Sequence, residues 1–140
     1  MSNTLERFLS PQAEDYPVAL REIQNGRKET HWMWYIFPQL RGLGQSNMAW
    51  YYGIADLQEA EAYLNHPVLG QRLREITQVL LELPEDNAGR IFGWPDCLKL
   101  CSSMTLFYQV SQEDLFGQVL EKYYGGRQDQ RTLQMLENRI

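Results

Sequence analysis

Residues 27–44, Arg27-Lys28-Glu29-Thr30-His31-Trp32-Met33-Trp34-Tyr35-Ile36-Phe37-Pro38-Gln39-Leu40-Arg41-Gly42-Leu43-Gly44, hold the densest chemistry in this chain. Trp32, Trp34, Tyr35 and Phe37 crowd four aromatic rings beside His31, with Arg27, Lys28 and Arg41 flanking them. Each ring brings a large apolar area and a directional π face, so the run belongs in a core or against a planar ligand. Lys28, Gln39 and Arg41 would meet an anion at the rim, with Trp32 or Trp34 against its planar part. An imidazole with an ordinary pKa near 6.5 suits His31 to general acid–base work. The Arg41-Gly42-Leu43-Gly44-Gln45-Ser46 loop adds a weaker phosphate signal. Its glycines permit close backbone approach, Arg41 offers a fork of donors, and Ser46 can open a helix whose N-terminus attracts anions. The glycine spacing is neither a Walker motif nor a dinucleotide fingerprint.

A second constellation lies at Lys99, Ser102 and Ser103. On a helix turning about 100° per residue, these fall together around Leu106, opposite an apolar face of Leu100, Cys101, Met104, Phe107 and Tyr108. The trio reads as an anion clamp, as a Ser–Lys pair in which a desolvated lysine activates a hydroxyl, or as a solvated helix face. Asp96 is the carboxylate expected to pair with Arg41 or Lys99, and His66, beside Pro67, reads as a cap or turn residue. Cys97 and Cys101 share a helical face and are expected as reduced core residues. With His31 and His66 the only histidines, the ligands for a metal site are lacking, and no cofactor is expected.

The net charge of −5 argues against a nucleic-acid partner. The charge is uneven: residues 56–89 carry seven acids against Arg72 and Arg74, whereas 27–41 set three bases against Glu29. A basic segment on an acidic protein suits a small anion better than a long phosphate backbone. No apolar run approaches the roughly 18 residues of a membrane span, and the first residues lack a signal-peptide core, so a cytoplasmic protein without a membrane partner is expected. At 140 residues the chain is expected to form a single helical domain over 1–140.

The elements that must position these residues read at helical period, which predicts an all-α bundle of six to eight short helices. Helices are expected over 13–24, closed by Asn25-Gly26; over 31–37, capped by Thr30 and stopped by Pro38; and after Ser46 to residue 52. Asp56 should cap 57–64, and Leu69, Leu73, Ile76, Leu80 and Leu83 line one face of the next helix. A loop through 91–94 leads to a helix over 96–110. Ser111 and Asp114 resemble a capping box opening 113–124, and 128–138 is the last candidate. Residues 36–37 and 50–54 are candidates for extended backbone.

Several blocks carry a resemblance: Leu5-Glu6-Arg7-Phe8, the long aromatic run, His66-Pro67-Val68-Leu69-Gly70, Ile91-Phe92-Gly93, Leu98-Lys99-Leu100 and Ser102-Ser103-Met104-Thr105-Leu106-Phe107. Through them the chain resembles the bacterial family catalogued as domain of unknown function 1810, sometimes labelled calpastatin-like. The resemblance implies an all-helical, stand-alone cytoplasmic protein and brings no activity with it. It also implies an acid where Cys97 stands and an arginine where Cys101 stands, so a Lys99-centred clamp would here lack one cation.

Together these readings predict a pocket between segment 31–46 and the helix over 95–107. Its expected ligand is a small anion with a planar group, of nucleotide or ADP-ribose type. Lys28, Arg41 and Lys99 would meet the charge, Ser46 would lend its helix start, and Gln39 and Ser103 would orient the ligand. One alternative is a hydrolase or transferase with His31 as base and Ser102 or Ser103 as nucleophile. The other is a protein-interaction module with exposed aromatics, and the oligomeric state stays open.

Overall fold

Phe8, Gln12, Tyr16, Ala19 and Ile23 recur every three or four residues and are all buried, which makes them one stripe of a helix. In the computed structural model, which describes residues 3–138, that stripe belongs to α1 (Asn3–Gln24). The helix begins well before the expected residue 13 and runs through Pro11 and Pro17. A proline inside a helix costs about 3 kcal/mol. Here Pro17 is exposed and Pro11 half-buried, off the stripe, and burial of Phe8 and Gln12 carries the helix past them. Gln12 is satisfied in the core, its Nε2 donating to the Tyr35 carbonyl at 2.7 Å and the Tyr63 hydroxyl at 3.1 Å.

α2 (Met33–Ile36), α3 (Asn47–Tyr51), α4 (Leu57–Asn65), α5 (Leu69–Glu82), α6 (Ala88–Phe92), α7 (Asp96–Ser111), α8 (Asp114–Tyr124) and α9 (Gln130–Glu137) follow. Among the described residues this makes nine helices, and the fold is all-α. The extended backbone expected at 50–54 shrinks to a parallel bridge between Leu40 and Ile54.

Caps explain most boundaries. Ser46 Oγ accepts from Ala49 N at 3.0 Å, Asp56 Oδ1 from Glu59 N at 2.9 Å, and Asp129 Oδ2 from Thr132 N at 2.9 Å. His66 Nδ1 accepts from Val68 N and Leu69 N, the cap role its position predicts. Three expectations fail for local reasons. Thr30 does not cap α2, because Glu22 holds its hydroxyl. Ser111 and Asp114 form no capping box; Ser111 Oγ accepts from Glu113 N, and α8 starts at Asp114. The loop expected at 91–94 is partly α6, nucleated by Asn87 Oδ1 accepting from Gly89 N and Arg90 N.

α7 is the central helix, packed by α4, α6, α8 and α9. Every residue from Ser102 to Phe107 is buried, which overturns the expected division into an apolar and a solvated face. Neighbours on so many sides leave the 102–107 stretch no face to water, while Leu98 in the first turn remains exposed. α5 keeps the predicted stripe and lies between α1, α4 and α8.

Candidate functional site

Glu22 shapes the segment that enters the site. Its buried carboxylate accepts from Glu29 N at 2.8 Å, Thr30 N at 3.1 Å, Thr30 Oγ1 at 2.7 Å and Trp32 Nε1 at 2.9 Å. Burial pushes its pKa upward, but these donors outweigh that and hold it at about 2. The bonds pin Trp32 into the core beside Phe37 and Phe92. Trp32 is therefore no stacking platform, contrary to one of the expectations, because its indole is sealed.

The same segment delivers Lys28. Its backbone N–H donates to the Ile91 carbonyl at 2.6 Å, and its Nζ meets Asp96 Oδ2 at 2.9 Å with the side chain only 8% exposed. Asp96 opens α7 and also reaches Lys99 Nζ through Oδ1 at 3.5 Å. Lys99 in turn stands 5.8 Å from the Trp34 ring centroid. Asp96 thus pairs with Lys99, as expected, and with Lys28 in place of Arg41.

Above this network a narrow pocket is lined by Met33, Trp34, Phe37, Gln39, Ala49, Tyr52, Gly53 and Lys99. Its enclosed space is about 10 Å³, enough for a single water-sized group. One wall is the 39–54 loop, closed by Arg41 N donating to the Ile54 carbonyl at 2.7 Å and Ile54 N to the Gln39 carbonyl at 2.9 Å. A Cβ on Gly53 would lie 2.5 Å from Arg41 Cα, so only glycine lets the two strands of the loop close this tightly.

Arg41 lies outside the pocket. Its Nε donates to the Trp50 carbonyl at 2.9 Å, and its guanidinium sits 5.1 Å from the Trp50 ring. It lines an open groove with Arg7, Glu59, Tyr51 and Tyr52, and Tyr52 separates that groove from the pocket. The predicted cations therefore divide, with Lys28 and Lys99 on one side and Arg41 on the other. Ser46 is exposed and serves as the cap of α3.

The three catalytic candidates are not lining residues of the pocket. His31 is exposed, and its carbonyl accepts from the Tyr35 hydroxyl, which also donates to Asp15. Ser102 donates to the Leu98 carbonyl at 3.3 Å. Ser103 is wholly buried, and its hydroxyl has no hydrogen-bond partner among the described residues. Cys101 packs by the Arg127 carbonyl, and burial, with the Asp129 charge, pushes its thiol up to about 11. It lies across α7 from Lys99, so an arginine there would not join the Lys99 cluster. Among the described residues, no group of three or more His, Cys, Asp or Glu side chains could hold a metal ion, and no helix is long and apolar enough to cross a membrane.

Met33 and Phe37 lie in the aromatic run singled out from the sequence, whereas sequence reasoning missed Glu22, Ala49, Tyr52 and Gly53. An acid flanked on α1 by Ala19 and Ile23 was the available signal for Glu22; the pocket wall had none, because it forms only when the 39–54 loop closes.

The model of the family described as protein of unknown function (DUF1810) matches residues 2–136. The chain belongs to that family. A solved structure, that of the conserved hypothetical protein Rv1873 from Mycobacterium tuberculosis, is similar to this chain at 49% identity and a TM-score of 0.93. The likeness covers 95% of the DUF1810 chain and 96% of the other. No curated protein matches it. These likenesses carry family and fold, and leave the activity to the geometry.

Proposed function

We propose that this DUF1810 protein binds a small anionic ligand, with Lys99 and Gln39 meeting the charged end and Trp34 flanking the rest. The observation that carries this reading is the placement of Lys99 and Gln39 at a pocket walled mainly by apolar and aromatic side chains, with Lys99 beside the Trp34 ring. Its 3.5 Å contact with Asp96 is longer than the 2.9 Å pair at Lys28, and an ammonium has three donors. Ligand sites for whole metabolites span roughly 300–1,000 Å³, so a larger ligand would bring only its charged end to the pocket, with the remainder over Trp34. The reading is of a cytoplasmic binding protein. The hydrolase or transferase alternative loses ground, since Ser103 is sealed and His31 is on the surface.

A thermal-shift screen against nucleotides, ADP-ribose, carboxylates and simple anions tests the proposal. A ligand at 100 times its dissociation constant adds about 2.7 kcal/mol of stability. Lys99→Met should abolish the shift and Arg41→Ala should leave it. An equal shift in wild type and Lys99→Met would refute the site.

A second reading, a protein-interaction surface, is favoured by Trp50 at 60% exposure and Trp94 at 78%. It predicts that Trp50→Ala and Trp94→Ala remove a captured partner without changing the thermal midpoint.

A further inference from the structure

The arrangement of Lys28, Asp96 and Lys99 says more about the ligand than that it is an anion. Lys28 is almost wholly buried and its charge is matched by Asp96 at 2.9 Å. Breaking that pair would strand a buried charge, so Asp96 is held where it is. From there its other oxygen faces Lys99 at 3.5 Å. Two ammonium groups and one carboxylate sum to a single positive charge. Gln39, like Tyr52 and Trp34 at the same pocket, offers hydrogen-bonding groups and no charge.

We infer that the pocket is built for a monoanion, a carboxylate on a short apolar stem, and that the single net positive charge Asp96 leaves on the cluster selects it against phosphate monoesters. This rests on the anion-binding reading above. One negative charge on the ligand balances the cluster. A second would be unmatched and would stand beside the Asp96 carboxylate, where like charges repel in a partly desolvated site.

Propionate and ethyl phosphate share a two-carbon stem. Near pH 8 they carry one and about two negative charges, because a phosphate ester's second pKa is about 6. Titration of nitrogen-15-labelled protein with each, followed at the Trp34 indole N–H, should give wild type a preference of about tenfold for propionate. Asp96→Asn raises the cluster to two positive charges and should reverse the preference. Lys28→Met with Asp96→Asn returns it to one without an unpaired buried charge, and should restore the wild-type order even if the single variant folds poorly. Ethyl phosphate binding wild type as tightly as propionate, with Lys99→Met silent to both, would overturn the inference and leave the anion site standing. No response of wild type to either probe, or a response unchanged by Lys99→Met, would overturn both.

Discussion

Glu22 gathers four hydrogen-bond donors from three consecutive-in-space residues, Glu29, Thr30 and Trp32, and its ionised form is what folding stabilises. A folded pKa of about 2 against an ordinary 4.5 makes its contribution complete above about pH 4.5 and lost as pH falls from there toward 2. The shift corresponds to about 3 kcal/mol. Glu113, lowered by its bidentate pairing with Arg74, loses stability in the same direction. Chemical denaturation between pH 7 and pH 2 should therefore show Glu22→Gln about 2–3 kcal/mol less stable than wild type at neutral pH, with the gap closing in acid. Parallel curves for the two proteins would contradict this role. At the same scale, Lys28, Gln39 and Lys99 were legible as polar residues amid aromatics. Which of them would share a site was not, since Asp96 and Glu22 decide that through contacts made only in the folded chain.

Among the elements, α7 was recognised by length and spacing yet misjudged in its surroundings. Ser102, Ser103 and Thr105 read as polar, but small hydroxyls enter a core when they bond back to their own helix, as Ser102 does. Ser103 gains no such bond, so Ser103→Ala should be neutral or stabilising by about 1 kcal/mol in urea unfolding. A loss of several kcal/mol would mean that the hydroxyl has a role the geometry does not contain. The sequence reading began α1 at residue 13, whereas the buried stripe from Phe8 to Ile23, a tertiary term, carries the helix back across Pro11. Pro17→Ala restores a donor to an exposed turn of that helix and should raise the melting temperature. α5 ends under Lys122, whose Nζ donates to the carbonyls of Leu80, Leu81 and Leu83. Lys122→Met should cost about 1–2 kcal/mol by leaving those carbonyls without their cation.

For the molecule as a whole, the family was legible as a resemblance carried by particular motif blocks, above all the aromatic run, and the all-helical class by apolar periods and capping residues. The order of packing around α7 was not, since it depends on which stripe meets which. α9 closes that packing late in the chain: Asp129 N donates to Thr105 Oγ1 at 2.9 Å, and Thr132 and Leu136 are buried. Removing residues 127–140 should uncover one side of the central helix, lowering the denaturation midpoint and producing binding of a hydrophobic dye; a truncated protein with unchanged midpoint would show α9 to be dispensable. On the anion-binding reading proposed above, ligand affinity should weaken at high ionic strength as the field of Lys99 is screened.

The tryptophans are graded from sealed to wetted, and that grading has an optical consequence. Trp32 is locked to a carboxylate in the interior, Trp34 borders the pocket, and Trp50 and Trp94 stand in solvent. A collisional quencher in the buffer should extinguish the red emission of Trp50 and Trp94 first, leaving a blue-shifted residue of light from Trp32 and Trp34. In that residual light, Trp34 should report any ligand entering the proposed pocket and Trp32 the loosening of Glu22 in acid, so the protein carries unlabelled probes of the proposal and of unfolding.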